Sequence, residues 1–187
     1  MGRQRKEIHL ATAAQNDGGI WRKALVTVPA IVVTGLLMGI ISDSGFGNAW
    51  YDGLAKPAFQ PPGWVFGAAW TTLYTMLGIA LAAILNAPFS TQRQLAIALF
   101  AAQLTLNFAW SPVFFGFHMI DLALALLIAM LLLATITANL FRRIRPVAGW
   151  LMLPYLAWLC LATALNYETG RLNPGADAEP LGITGGR

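Results

Sequence analysis

The stretch Leu122–Leu140, LALALLIAMLLLATITANL, contains no acidic or basic residue. A helix needs about 20 consecutive apolar residues to cross the hydrocarbon of a bilayer, and this run supplies them. Four more windows share its character: Ala24–Ile41, Pro57–Gln92, Gln94–Ile120 and Pro146–Tyr167 carry no Asp, Glu, Lys or Arg. Each holds an apolar core of ~18–22 residues, which predicts helices near 24–42, 64–85, 95–114, 121–141 and 148–168.

Composition points the same way. The 187 residues are 57% hydrophobic and 11% charged, against about 25% charged in soluble domains. In water, such a chain would expose large apolar patches. The expected fold class is therefore an all-α integral membrane protein: a five-transmembrane-helix bundle with a long ordered loop between helices one and two. A basic leader (1–23) and a tail (173–187), both expected to be flexible, flank a membrane domain at 24–172. The first apolar run is longer than a signal-peptide core and no clear small-x-small cleavage site follows it, so it reads as a retained helix.

The basic residues set the orientation. Five crossings put Arg3, Arg5, Lys6, Arg22, Lys23, Arg93, Arg142, Arg143 and Arg145 on one face, and Lys56, Arg171 and Arg187 on the other. Positive charge gathers on the cytoplasmic side. The reading is a multi-pass protein of a bacterial cell membrane, with its N-terminus cytoplasmic and its C-terminus outside; the outer membrane is the alternative. The net charge of +4 then reflects topology and gives no reason to expect a nucleic-acid partner.

The first connection, Ser42 to Trp64, is rich in Gly, Pro, Asn and Asp, and so reads as irregular backbone. Pro57, Pro61 and Pro62 stiffen it. Trp50, Tyr51, Phe59 and Trp64 give it an apolar side, as expected of a folded lid on the outer mouth of the bundle. An interfacial aromatic belt accounts for the rings equally well, but not for the prolines.

Helical periodicity then collects three stripes. Phe66, Trp70 and Tyr74 share one in helix two. Phe100, Gln103, Asn107, Trp110 and Phe114 share another in helix three. In helix five Pro154, Trp158, Ala162 and Leu165 form a third, with Tyr155 and Asn166 beside it. Flat rings with a few amides describe a ligand chamber of apolar walls and sparse polar groups. A tryptophan on a membrane helix also serves simply as a packing or lipid-facing residue. Gln103 and Asn107 are unfavourable against lipid, so they should face the interior, as ligand contacts or as bonds between helices.

Other chemistries find little support. No Asp, Glu, Lys or Arg lies deep in a predicted helix, as an ion-driven pump needs. His9 falls in the leader and His118 in the third connection, where it reads as a solvated loop residue. No Cys/His cluster suits a metal, nothing requires a cofactor, and Cys160 stands alone, excluding an internal disulfide. Small residues recur at Gly35 and Gly39 in helix one and at Ala98 and Ala102 in helix three, each a candidate close helix contact or dimer face.

Three segments, WYDGLAKPAFQPPGWVFGAAWTTLY (50–74), AAQLTLNFAWSPVFFG (101–116) and LPYLAWLCLATALNYETGRLNP (153–174), resemble the signature regions of the TspO/MBR family. Its members are called translocator proteins, tryptophan-rich sensory proteins or peripheral-type benzodiazepine receptors. The resemblance spans roughly residues 46–174, and Phe59 stands where many members have Trp. It implies a five-helix pocket beneath the first loop that takes protoporphyrin IX and flat aromatic drugs. Trp50, Trp70, Asn107, Trp110, Trp158 and Ala162 match positions that line or close that pocket. It also implies, for some members, light-dependent porphyrin degradation involving the tryptophans that match Trp70 and Trp158. Members are often homodimers. The reading expected on these grounds is a tetrapyrrole receptor active in stress regulation, with porphyrin degradation, or porphyrin or sterol transport, as alternatives. Leu165, Tyr167 and Arg171 fit the weak cholesterol pattern; a helix end anchored by Tyr167 and Arg171 explains them as simply.

Overall fold

A computed structural model describes the backbone of residues 2–177 and the side chains of 18–177. Positions 178–187 of the expected tail, and the side chains of Arg3, Arg5, Lys6 and His9, lie outside the described residues. The helices are α1 (Gly2–Ile41), α2 (Ala49–Gly53), α3 (Gly63–Leu85), α4 (Thr91–Ser111), α5 (Ile120–Ile144), α6 (Pro146–Leu151) and α7 (Leu153–Leu172). Five spans are long and apolar enough to cross a membrane: Gly18–Ile41, Gly63–Leu85, Thr91–Gly116, Ile120–Ile144 and Pro146–Leu172. The expected all-α five-span architecture is thus present, and no strand occurs among the described residues.

The boundaries differ from expectation at three places, two of them set by a proline. Helix α1 runs continuously from Gly2, well before position 24. Where one third helix was expected to end at 114, α4 stops at Ser111 and continues as a wider π-helical turn, Pro112–Gly116. Pro112 has no N–H to give to the α-helical ladder, and the wider turn rotates Phe114 and Phe115 into the interior, where both are buried. The fifth span, expected as one helix, is broken into α6 and α7 at Met152. Pro154 removes a helical donor and crowds the carbonyl one turn back. It is exposed, so it does not join the stripe of Trp158 and Ala162.

Contacts order the spans as a ring: α1 packs on α3, α3 on α6, α6 and α7 on α5, α5 on α4, and α4 returns to α1. Helix α1 meets α3 so closely that a Cβ added at Gly78 would lie 2.6 Å from Val28 Cα. Thr27 Oγ1 donates to the Gly78 carbonyl there at 2.7 Å. Two cations secure the C-terminal end of α3. Lys23 Nζ donates to the Leu85 carbonyl at 3.0 Å, and Arg93 donates to the carbonyls of Ile84 and Leu85, each at 3.0 Å. These are the unpaired carbonyls of a helix C-terminus, where the macrodipole favours positive charge.

The first connection is folded. Asn48 caps the short α2, its Oδ1 accepting from the Tyr51 N–H at 3.0 Å. Gly45 and Gly47 take φ of 105° and 103°, a region where side chains are strained. Lys56 Nζ donates to the carbonyls of Tyr51 and Leu54 and sits 4.3 Å from the Tyr51 ring centroid. One ammonium thus ties the end of α2 to the proline-rich return. Burial lowers the Lys56 ammonium from its ordinary value, with Asp52 opposing. It raises the Tyr51 phenol, with a Gln60 hydrogen bond opposing and Asp52 adding to the rise. Tyr51 therefore stays neutral in ordinary buffers.

Candidate ligand chamber

All five spans and the first connection surround a single cavity of about 830 Å³, inside the ~300–1,000 Å³ range of small-molecule sites. Its aromatic wall is built from the expected stripes. Phe66, Trp70 and Tyr74 come from α3, Trp110 from α4 and Trp158 from α7. The rings touch one another: Trp70 stacks on Tyr74 at 5.1 Å and meets Trp158 edge to face at 6.2 Å, and Phe66 meets Trp158 at 5.7 Å. Such offset and edge-on pairs are the favoured aromatic geometries. Ala162, on the α7 face that carries Trp158, also lines the space.

Polar groups hold this wall from behind. Tyr74 Oη donates to Asn107 Oδ1 at 2.7 Å; Asn107 Nδ2 donates to Tyr155 Oη at 3.3 Å; Tyr155 Oη donates to Gln103 Oε1 at 2.7 Å. The chain links α3, α4 and α7, and every member is buried. Nearer the mouth, Trp110 Nε1 donates to Asn166 Oδ1 at 3.2 Å and Asn166 Nδ2 donates to the Ile120 carbonyl at 3.0 Å. Buried polar groups need such partners, since an unpaired one costs about 1–3 kcal/mol.

The structure therefore divides the expected site residues. Phe66, Trp70, Tyr74, Asn107, Trp110, Trp158 and Ala162 border the cavity. Gln103 and Tyr155 are fully buried behind it and position the others. Trp50 does not border it. Its indole stacks on His118 at 4.3 Å and meets Phe114 edge-on at 5.5 Å. His118 accordingly is no solvated loop residue: it is half-buried, with φ of 59°. The lid presents other residues to the chamber, namely Phe46, Tyr51 and Gln60, and the first turn of α3 adds Trp64. Leu165 lines the cavity and is buried, whereas Tyr167 is 59% exposed and Arg171 pairs with Glu168 on the outside. The three residues of the cholesterol pattern share no single surface.

Sequence reasoning missed several walls. Phe115, Met130 and Leu127 line the chamber. The π-helical turn directs Phe115 inward, and a uniform α-helical projection cannot foresee that. The two glycines of helix one also have separate roles. A Cβ at Gly35 would overlap the Tyr74 ring, so Gly35 makes a contact within the bundle; Gly39 opens onto the cavity. Ala98 and Ala102 are exposed on the outer face of α4.

The chamber is suited to holding a flat apolar molecule by stacking and shape. Its lining contains one carboxylate, Asp43 at the mouth. Among the described residues no group of His, Cys, Asp or Glu could hold a metal ion. The family model described as the TspO/MBR family matches residues 26–172. A tryptophan-rich sensory protein of Cereibacter sphaeroides is 44% identical over 126 residues, covering 67% of this chain and 78% of the relative. The translocator protein of Homo sapiens is 37% identical over 155 residues, covering 79% of this chain and 92% of the relative. Protein CrtK of Rhodobacter capsulatus is 37% identical over 129 residues, 68% of this chain and 81% of the relative.

Proposed function

The chain belongs to the TspO/MBR family, and from that premise we propose that it is a membrane receptor for tetrapyrroles, with protoporphyrin IX as its model ligand. The observation that carries the reading is the wall of mutually packed rings, Phe66, Trp70, Tyr74 and Trp158, facing a cavity of about 830 Å³. A macrocycle is flat, apolar and large, and such rings offer it faces and edges to pack on. Its carboxylates would lie toward the mouth, at the membrane interface. The N-terminus is cytoplasmic in this reading, the receptor acts as a homodimer, and its output is regulation of tetrapyrrole use under stress.

The test is a fluorescence titration of purified protein with protoporphyrin IX, beside Asn107→Leu and Trp158→Ala. Saturable binding weakened in both variants supports the proposal; uptake that rises linearly and equally in all three sinks it. A second reading, light-dependent porphyrin degradation, draws on the 6.2 Å pairing of Trp70 and Trp158. Indole can donate an electron to an excited porphyrin, and no general acid or base is needed for that step. Illumination with and without dioxygen separates the two: degradation bleaches the porphyrin spectrum and is lost in Trp70→Phe or Trp158→Phe, whereas binding alone only quenches. Net porphyrin or sterol flux into sealed vesicles would indicate transport instead.

A further inference from the structure

Helices α1 and α3 are locked together over part of their length, and toward the 42–62 connection each carries a glycine whose missing side chain would meet no neighbour. The lock is the Val28–Gly78 approach, the Thr27–Gly78 hydrogen bond and Gly35 against the Tyr74 ring. About 16 Å along each helix from the Val28–Gly78 contact, at the 1.5 Å rise per residue, stand Gly39 on α1, one turn past Gly35, and Gly67 on α3. A Cβ at either would have nothing within 4 Å, and both border the chamber. Their neighbours Leu36, Ile40 and Trp64 also border it, yet are 45%, 75% and 76% exposed. A side chain that is both cavity wall and outer surface marks a place where the wall is one residue thick. That surface lies within two membrane-length spans, so acyl chains cover it. The two glycines replace side chains that would close the gap.

We propose that the gap between the outer halves of α1 and α3 is a lateral entrance, through which a flat hydrophobe dissolved in the leaflet on the side of the 42–62 connection slides edge-on into the chamber. The proposal rests on the chamber being the ligand site. A ligand that partitions into lipid is concentrated where this slot opens, and entering there spares it a passage through water. The lid can then stay folded during exchange, held by Asn48, Lys56 and the Trp50–His118 stack.

The experiment uses the full chain in phosphatidylcholine vesicles, with wild type, Gly39→Leu, Gly67→Leu and, as a control, Ala125→Leu on the exposed face of α5. Both glycines are helical and unclashed, so leucine there narrows the gap without a backbone conflict. Stopped-flow mixing with vesicles preloaded with protoporphyrin IX gives association and dissociation rates. An entrance predicts that both rates fall together, about 10-fold, in the two glycine variants, with Kd changed less than about 3-fold, and that Ala125→Leu matches wild type. Unchanged association with faster dissociation would mean that the glycines merely line the chamber, and would overturn the proposal. A second readout needs no porphyrin: photolysis with a phosphatidylcholine bearing a diazirine near its chain end, followed by peptide mapping. Adducts on the inner wall, at Phe66 or Trp70, that disappear in Gly67→Leu support a slot open to lipid. Adducts confined to outward residues such as Leu37 sink it. If wild type shows no saturable porphyrin binding, the receptor reading falls, and the photolysis map alone decides whether the slot exists.

Discussion

Asn107 is the residue on which the buried polar chain turns. It accepts from Tyr74, donates to Tyr155 and approaches Met130 Sδ at 3.4 Å. Asn107→Leu keeps the volume similar but leaves the Tyr74 hydroxyl without its acceptor in an apolar setting. The expected loss is about 1–3 kcal/mol of stability, read as an earlier thermal unfolding transition in detergent. Tyr74→Phe together with Asn107→Leu should recover part of that loss, because the orphaned hydroxyl is gone. Trp158→Ala acts differently. It should weaken porphyrin binding roughly 10-fold, the scale of one aromatic contact of about 1–1.5 kcal/mol, while leaving the polar chain intact. An unchanged affinity would place the ligand elsewhere.

Among the elements, the α1–α3 pair depends on glycine at two points with different tolerances. At Gly78 the obstacle is Val28 backbone at 2.6 Å, which cannot swing aside. At Gly39 there is open space. Gly78→Ala should therefore destabilise by about 1–3 kcal/mol through overpacking, and Gly39→Ala should be neutral or slightly stabilising through helix propensity. Chemical unfolding of both variants in mixed micelles checks the contrast. The sequence alone showed Gly35 and Gly39 a turn apart in helix one and could not tell that the first packs on the Tyr74 ring while the second opens onto the chamber, because helical spacing carries no information about what stands opposite. The same limit explains Trp50. Periodicity placed Trp70, Asn107, Trp110 and Trp158 on inward faces correctly, since a helix fixes the direction of each side chain. A segment read as irregular backbone offers no such projection: the first connection contains the short helix α2, on which Trp50 turned to His118 while Tyr51 came to border the chamber. The proline breaks at Pro112 and Pro154 were visible as residues, but their consequences, a π-helical turn and a split fifth span, depend on how neighbouring helices satisfy the freed backbone.

For the whole molecule, Lys23 and Arg93 tie α1 and α4 to the C-terminal end of α3, and the opposite ends of the five spans are organised around an aromatic chamber under a capped loop. The loop's rigidity is testable through Lys56, which holds the carbonyls of Tyr51 and Leu54. Lys56→Met should loosen the connection, measured as faster protease cleavage between Ser42 and Pro62, with the thermal transition of the bundle moving little. Equal cleavage in variant and wild type would mean that the prolines alone fix the lid. The central claim, that rings from separate spans form one wall for a flat macrocycle, is tested most directly by an experimental structure of the protein with protoporphyrin IX. The account predicts ring-shaped density packed on Trp70 and Trp158, with its carboxylates toward the mouth. A macrocycle seated on the outer surface, with the chamber filled by lipid or collapsed side chains, would contradict it.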